Sequence, residues 1–155
     1  RRFIDADHEI EARCGVSIPV IFEIEGEAGF RQRERAMIDE LTRLPGVVLA
    51  TGGGAVLSPE SRDRLRGRGL VVYLRASAED IWQRTRRDRS RPLLATADPR
   101  QRIAELLAQR EPLYAQTAHL TFDSSQDSVK TTVARLAERI EHEDVVRQPV
   151  AAETR

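Results

Sequence analysis

The chain has 155 residues, with 25 basic against 25 acidic side chains and a formal net charge of zero. That length fits one domain with its own core, and the charge balance excludes the broad field that draws a protein to nucleic acid or an anionic membrane. Cys14 stands alone, which excludes an internal disulfide or a cysteine-based metal site and fits a reducing, cytoplasmic setting.

The opening "RRFID" has the character of a strand end, and Asp7 is placed to cap a helix over "HEIEARCG". If the strand continues through Asp7, the side chains of Asp5 and Asp7 share a face, since residues two apart do so in extended chain. Met37, Ile38, Leu41 and Leu44 recur on one side of a helix expected to begin near Glu27. "GVVLATGGG" (46–54) and "GLVVYLRAS" (69–77) are apolar runs without alternation, as in buried strands of a parallel sheet. Between them, Ser58 and Pro59 open a helix that Gly67 or Gly69 ends, completing a βαβ crossover. Ser77 and Asp80 form a capping-box pattern before "AEDIWQRTRRD", and Asp98, Pro99 and Gln101 open a helix with Ile103, Leu106 and Leu107 on one face. "HLTFD" (119–123) predicts another strand, and Val129, Val133, Leu136 and Ile140 stripe a C-terminal helix. Residues 143–155 lose that periodicity and are expected to form a disordered tail. No apolar run is long enough to span a bilayer, and there is no signal-peptide pattern or internal repeat. The class is α/β, with helices covering a parallel sheet.

In such sheets ligands bind beyond the carboxyl ends of the strands. Gly52, Gly53 and Gly54 lie at such an end, as do Asp5, Asp7 and Arg75. Three consecutive glycines lose more chain entropy on folding than a turn requires, so they are read either as a plain glycine turn or loop or, with more weight, as a place where another group approaches the backbone that a β-carbon would exclude. The basic run at 84–99 lacks the interleaved aromatics of a nucleic-acid site. His8, His119 and His142 are scattered and make no metal set, and Tyr73 and Trp82 are assigned to packing.

Five stretches, taken together and in order, resemble shikimate kinase: "FIDADHEIE" (3–11), "GEAGFRQRE" (26–34), "ATGGGAV" (50–56), "RPLL" (91–94) and "REPLY" (110–114). The resemblance runs from Phe3 to about Ile140. It implies a cytoplasmic enzyme of chorismate and aromatic amino-acid biosynthesis that moves the γ-phosphoryl of ATP to the 3-hydroxyl of shikimate, with Mg²⁺. It implies a P-loop kinase-like three-layer sandwich with strand order 2-3-1-4-5, in a domain at 1–142 with a lid at about 86–100. It also implies the site. Asp7 accepts from the shikimate hydroxyl as catalytic residue. Arg31 and Arg110 clamp the carboxylate, and Gly52, Gly53 and Gly54 floor the pocket. Arg91 reaches the phosphates, Arg84 flanks the adenine near 125–127, and Asp5 lies on the Mg²⁺ side, through water. Without the family pattern, each clamp arginine is a surface group paired with Glu27, Glu34 or Glu111. Arg33, Arg35 and Arg102 keep that plain reading, and Glu60 belongs to a helix N-terminus.

One departure stands out. No G-x-x-x-x-G-K-[ST] phosphate loop is present, and the single lysine, Lys130, falls in the C-terminal helix. The family carries that loop after a first, central strand, so the first strand of the order is absent here. The 155 residues are therefore expected to be a trimmed part of a longer, active and monomeric kinase, and not to turn over alone. The competing readings are a shikimate-binding module without ATP turnover and a gluconate-type small-molecule kinase.

Overall fold

The computed structural model describes residues 1–88, 90–124 and 128–147. The chain runs β1 (Arg2–Asp5), α1 (Ala6–Cys14), α2 (Ile18–Leu41), β2 (Val47–Ala50), α3 (Pro59–Arg68), β3 (Val72–Arg75), α4 (Ala78–Thr85), α5 (Pro99–Thr117), β4 (Leu120–Asp123) and α6 (Val129–Arg147). Short 3₁₀ turns cover Ala55–Leu57 and Pro92–Leu94.

All strand pairing among the described residues is parallel, as the unalternating apolar runs predict. β1 pairs β2 with Asp5 opposite Ala50, and β3 pairs β4 with Arg75 opposite Asp123. The expected single sheet is instead two pairs, with no ladder joining β2 to β3 among the described residues. These are the pairs that the order 2-3-1-4-5 leaves when its middle strand is taken away. Val48 on β2 and Leu74 on β3 are accordingly about half exposed, at 49% and 52%.

The main apolar cluster lies under β1, where Ile4, Ala6, Ile10, Ile21, Phe30, Met37 and Leu41 pack together with Val47 and Leu49. Burial of such side chains contributes roughly 1.5–3 kcal/mol each and holds α1 and α2 on the first strand pair. α2 starts at Ile18, not near Glu27. Pro19 sits in its first turn, and Glu11 Oε1 takes the Ile18 amide at 2.9 Å in place of a Ser17 cap. The expected start is instead a break within the helix, at Gly26, whose φ of 68° no β-branched or bulky residue adopts without strain. The helix also stops at Leu41, leaving Leu44 40% exposed where a core contact was expected.

The predicted caps hold for the middle of the chain. Ser58 accepts from the Ser61 amide at α3, Ser77 and Asp80 make the reciprocal box at α4, and Asp98 accepts from Gln101 at α5. α6 differs from expectation in two ways. It continues to Arg147, beyond the predicted start of the tail at 143, while 148–155 lie outside the described residues. Its apolar stripe is also largely uncovered, with Val129 and Val133 exposed.

Candidate active site

The site is built where β1 and β2 end. Asp5, not Asp7, caps α1: its Oδ1 accepts from the Asp7 amide at 2.9 Å and the His8 amide at 3.3 Å. The strand stops at Asp5, so the two acids do not share a strand face as the sequence reading supposed. A cap carboxylate reaches the amides two and three residues on, and only Asp5 stands at that distance from the first helical turn. This arrangement frees Asp7, in that turn, to face the pocket. Asp7 Oδ1 is buried and accepts no hydrogen bond among the described residues. Burial, then the nearby Asp5 charge, raises the Asp7 carboxyl above its ordinary value, against the opposing pull of Arg31 and Arg91.

The triple glycine forms the opposite wall, and each missing β-carbon marks a functional group. A Cβ at Gly52 would lie 3.2 Å from both Asp7 Oδ1 and Glu34 Oε1. One at Gly53 would lie 3.0 Å from the Tyr114 hydroxyl and 3.8 Å from Arg110 Nη1, and one at Gly54 would overlap the Arg31 guanidinium. Asp7, Gly52, Gly53, Gly54, Arg31 and Arg110 therefore come together beyond the strand ends, although they come from α1, α2, the loop after β2 and α5.

The two guanidinium groups differ in how they are held. Arg31 follows the Gly26 break, stacks 5.2 Å over Phe30, and donates to Glu34 Oε2 at 2.7 Å and to Glu27 Oε1 at 3.1 and 3.2 Å. The ordinary ion pairing weighed in the sequence reading is thus present as well as the pocket position. Arg110 is 9% exposed, and its Nε is buried without an acceptor. A buried cationic donor left unpaired is costly, and such groups concentrate where a ligand is to be bound.

Two residues that sequence reasoning left out of the site belong to it. Glu34 is 3% exposed, holds Arg31, and has a second oxygen with no donor; burial raises its carboxyl. Tyr114 donates its hydroxyl proton to the Gly53 carbonyl at 2.6 Å, stacks on Tyr73 at 4.9 Å, and lies beside Arg110. Both sit inside motifs already singled out, Glu34 three residues after Arg31 and Tyr114 four after Arg110. Helical spacing was the signal that could have found them.

The remaining assignments spread outward. Arg91 forms a 3.0 Å ion pair with Asp88, whose carboxyl is pulled down to about 2 chiefly by bonds from Ser90, and its charge reaches Asp7. Arg84 stands apart, donating to the Ser124 carbonyl at 2.9 Å beside β4; the adenine-side loop at 125–127 lies outside the described residues. Arg33 pairs with Glu25, Arg102 with Glu105, and Glu60 takes the Ser58 hydroxyl at the start of α3. His119 accepts the Val71 amide at 3.0 Å, and no cluster of three or more His, Cys, Asp or Glu residues fit for a metal occurs among the described residues. No helix among them is long and apolar enough to cross a membrane.

A parallel α/β fold whose strand ends carry an acid, a bare glycine wall and two guanidinium forks is suited to a small anionic hydroxy compound, and its solved structural neighbours have the fold of P-loop kinase-like small-molecule phosphotransferases. The comparisons with known proteins narrow the class. The profile of the family "Shikimate kinase" matches residues 1–141. The shikimate kinase of Bordetella pertussis is 57% identical over 141 residues, 91% of this chain and 67% of that protein. That of Thiobacillus denitrificans is 62% identical over 127 residues, 82% of this chain and 69% of that protein. The solved shikimate kinase of Acinetobacter baumannii, described in complex with shikimate, superposes with a TM-score of 0.87 at 44% identity, covering 96% of this chain and 80% of that one. The chain belongs to the shikimate kinase family, ATP-dependent transferases of aromatic amino-acid biosynthesis. These matches favour neither the gluconate-type kinase nor the binding module without turnover.

Proposed function

We propose that the pocket beyond β1 and β2 is the acceptor site, holding shikimate for phosphorylation at its 3-hydroxyl by ATP. Arg110 and Arg31 receive the shikimate carboxylate, each able to present two N–H groups in the plane of the carboxylate. Arg31 does so by exchanging its bonds to the exposed Glu27 while Glu34 keeps hold of Nη1. Gly52, Gly53 and Gly54 let the ring lie against main chain. Asp7 Oδ1, with no donor of its own, accepts the proton of the attacking hydroxyl and fixes its direction. The transition state of phosphoryl transfer is loose, so this placement matters more than the basicity of Asp7. The observation that carries the reading is Arg110 Nε, a buried cationic donor without an acceptor among the described residues.

ATP is the co-substrate of the family, and its triphosphate-cradling loop is not among these 155 residues. Arg91, within charge range of Asp7, is assigned to the transferred phosphoryl, Arg84 to the adenine side, and residues 86–100 to a closing lid that excludes water. A magnesium ion brought with ATP would be held on the Asp5 side, where Oδ2 is free of the α1 cap, and would neutralise phosphate charge; Mg²⁺ usually keeps several waters and uses one or two carboxylates. The domain spans 1–142. The protein is taken as a monomer that is cytoplasmic and binds neither nucleic acid nor membrane, and the zero net charge and lone Cys14 support the last two of these readings.

Calorimetric titration of the chain with shikimate tests the pocket: saturable one-to-one binding that Arg110→Ala abolishes is expected, and no binding by the wild-type chain overturns the reading. In a kinase with its phosphate loop, Asp7→Ala, which removes the oriented acceptor, is expected to lower kcat by about 10²–10⁴, and Asp7→Asn, which keeps an acceptor oxygen in place, to lower it less. Unchanged turnover would remove Asp7 from the chemistry.

A further inference from the structure

The Gly53 carbonyl that Tyr114 holds belongs to the middle peptide of a β-turn. Gly52 O accepts the Ala55 amide at 3.1 Å, Gly54 has φ −87° and ψ −10°, and Gly53 is not among the positive-φ glycines, which together make a type I turn centred on Gly53 and Gly54. The middle peptide of such a turn can rotate to the type II form when the third residue tolerates positive φ, and glycine does so without steric penalty. Two central glycines therefore leave the direction of this peptide open. Among the described residues no backbone hydrogen bond fixes it, since the Gly53 and Gly54 amides donate to no acceptor there. Among the described residues, the bond that does is from the Tyr114 hydroxyl, 2.6 Å from Gly53 O. Tyr114 is itself anchored, stacked on Tyr73 with 29° between the rings and flanked by Arg110 on the same helix.

We propose that Tyr114 is a positioning residue for the acceptor substrate, latching the Gly53–Gly54 peptide in one of its two orientations. The peptide is trans, so a fixed Gly53 carbonyl fixes the Gly54 N–H on the opposite side. That amide is then offered to the substrate in a set direction, beside the Arg31 guanidinium that packs on Gly54. The same hydroxyl ties the glycine wall to α5, so the wall and Arg110 keep their spacing. This inference rests on the acceptor-site reading given above.

The test is Tyr114→Phe in the whole chain, with Tyr73→Phe as control, because the Tyr73 hydroxyl has no partner to lose. Calorimetry is expected to show shikimate binding weakened about ten-fold by Tyr114→Phe and unchanged by Tyr73→Phe, with the melting midpoint of the unliganded Tyr114→Phe chain lowered by no more than the loss of one hydrogen bond, about 0.5–1.5 kcal/mol, accounts for. In ¹⁵N spectra the Gly54 amide of the wild-type chain is expected to shift on adding shikimate, and that shift to shrink in Tyr114→Phe. Wild-type binding with equal affinity in Tyr114→Phe overturns the latch and leaves the acceptor site standing. Failure of the wild-type chain to bind shikimate overturns the acceptor site itself. Should Tyr114→Phe not fold, the wild-type spectrum still decides, since a Gly54 amide indifferent to bound shikimate overturns the latch.

Discussion

Glu34 Oε2 accepts a 2.7 Å hydrogen bond from Arg31 Nη1, while Glu34 Oε1 stays buried with no donor. One oxygen orients the guanidinium, and the other carries desolvated charge. Burial raises this carboxyl first, the Asp7 charge adds to it, and Arg31 and Arg110 only partly offset both.

The sign of the pH effect follows. A carboxyl raised in the folded state contributes stability that is full below its unfolded value, about 4.5 for Glu34, and that is lost as pH climbs through the raised folded value. Melting curves of the unliganded chain between pH 4 and 8 should therefore show Glu34→Gln gaining on the wild type as pH rises. The amide can still accept from Arg31 and carries no buried charge. Parallel curves for the two proteins would contradict the burial argument.

The glycines of the wall predict unequal effects. Gly54→Ala places a methyl on the Arg31 guanidinium, the far end of a flexible side chain that can swing away. The fold should survive, with a loss within about 1 kcal/mol, while shikimate binding falls at least ten-fold because one fork has left the pocket. Gly52→Ala meets Asp7 and Glu34 oxygens at 3.2 Å and needs only a few tenths of an ångström of adjustment, so its binding loss should be smaller. Melting and titration of the two variants side by side check the order.

Packing predicts another division. Ile38 has no exposed surface, whereas Val133 on α6 is 60% exposed. Ile38→Ala should cost about 2–5 kcal/mol in urea unfolding, and Val133→Ser less than roughly 0.5 kcal/mol. A large loss at Val133 would show that the α6 stripe is covered in solution.

Much of this architecture was legible because its signals are local. Ser58, Ser77 and Asp98 each stand before helices with the right residue following, and the unalternating runs at 46–54 and 69–77 marked parallel strands, although no residue of β2 or β3 is fully buried. The site residues Asp7, Arg31, Gly52–Gly54 and Arg110 were legible as a pattern of motifs, not from the chemistry of any one of them. What escaped depends on distant meetings or on small shifts. The cap fell to Asp5 and not Asp7 because two residues separate a strand end from a first turn, and both acids satisfy the same residue preference. Tyr114 gains its role from Gly53, 61 residues away, and Glu34 gains its role from burial beneath a loop it does not adjoin. The exposure of Val129 and Val133 is invisible to periodicity, which says which face is apolar but not what covers it.

The last prediction concerns the inequality of the two forks. Arg110 is buried with a free Nε, whereas Arg31 already satisfies Glu27 and Glu34. A carboxylate entering between them gives Arg110 a partner it lacked but gives Arg31 only an exchange of partners. Arg110→Lys should therefore cost more shikimate affinity than Arg31→Lys, because lysine replaces a planar fork by a point charge and leaves the geometry at Arg110 unmatched. The expected losses are on the order of a hundred-fold at Arg110 and ten-fold at Arg31 by titration. Removing the exposed Glu27, as Glu27→Gln, should strengthen binding slightly by easing the exchange at Arg31. A weaker effect at Arg110 than at Arg31 would mean that the buried guanidinium serves the fold and that the substrate carboxylate is held on the α2 side of the pocket.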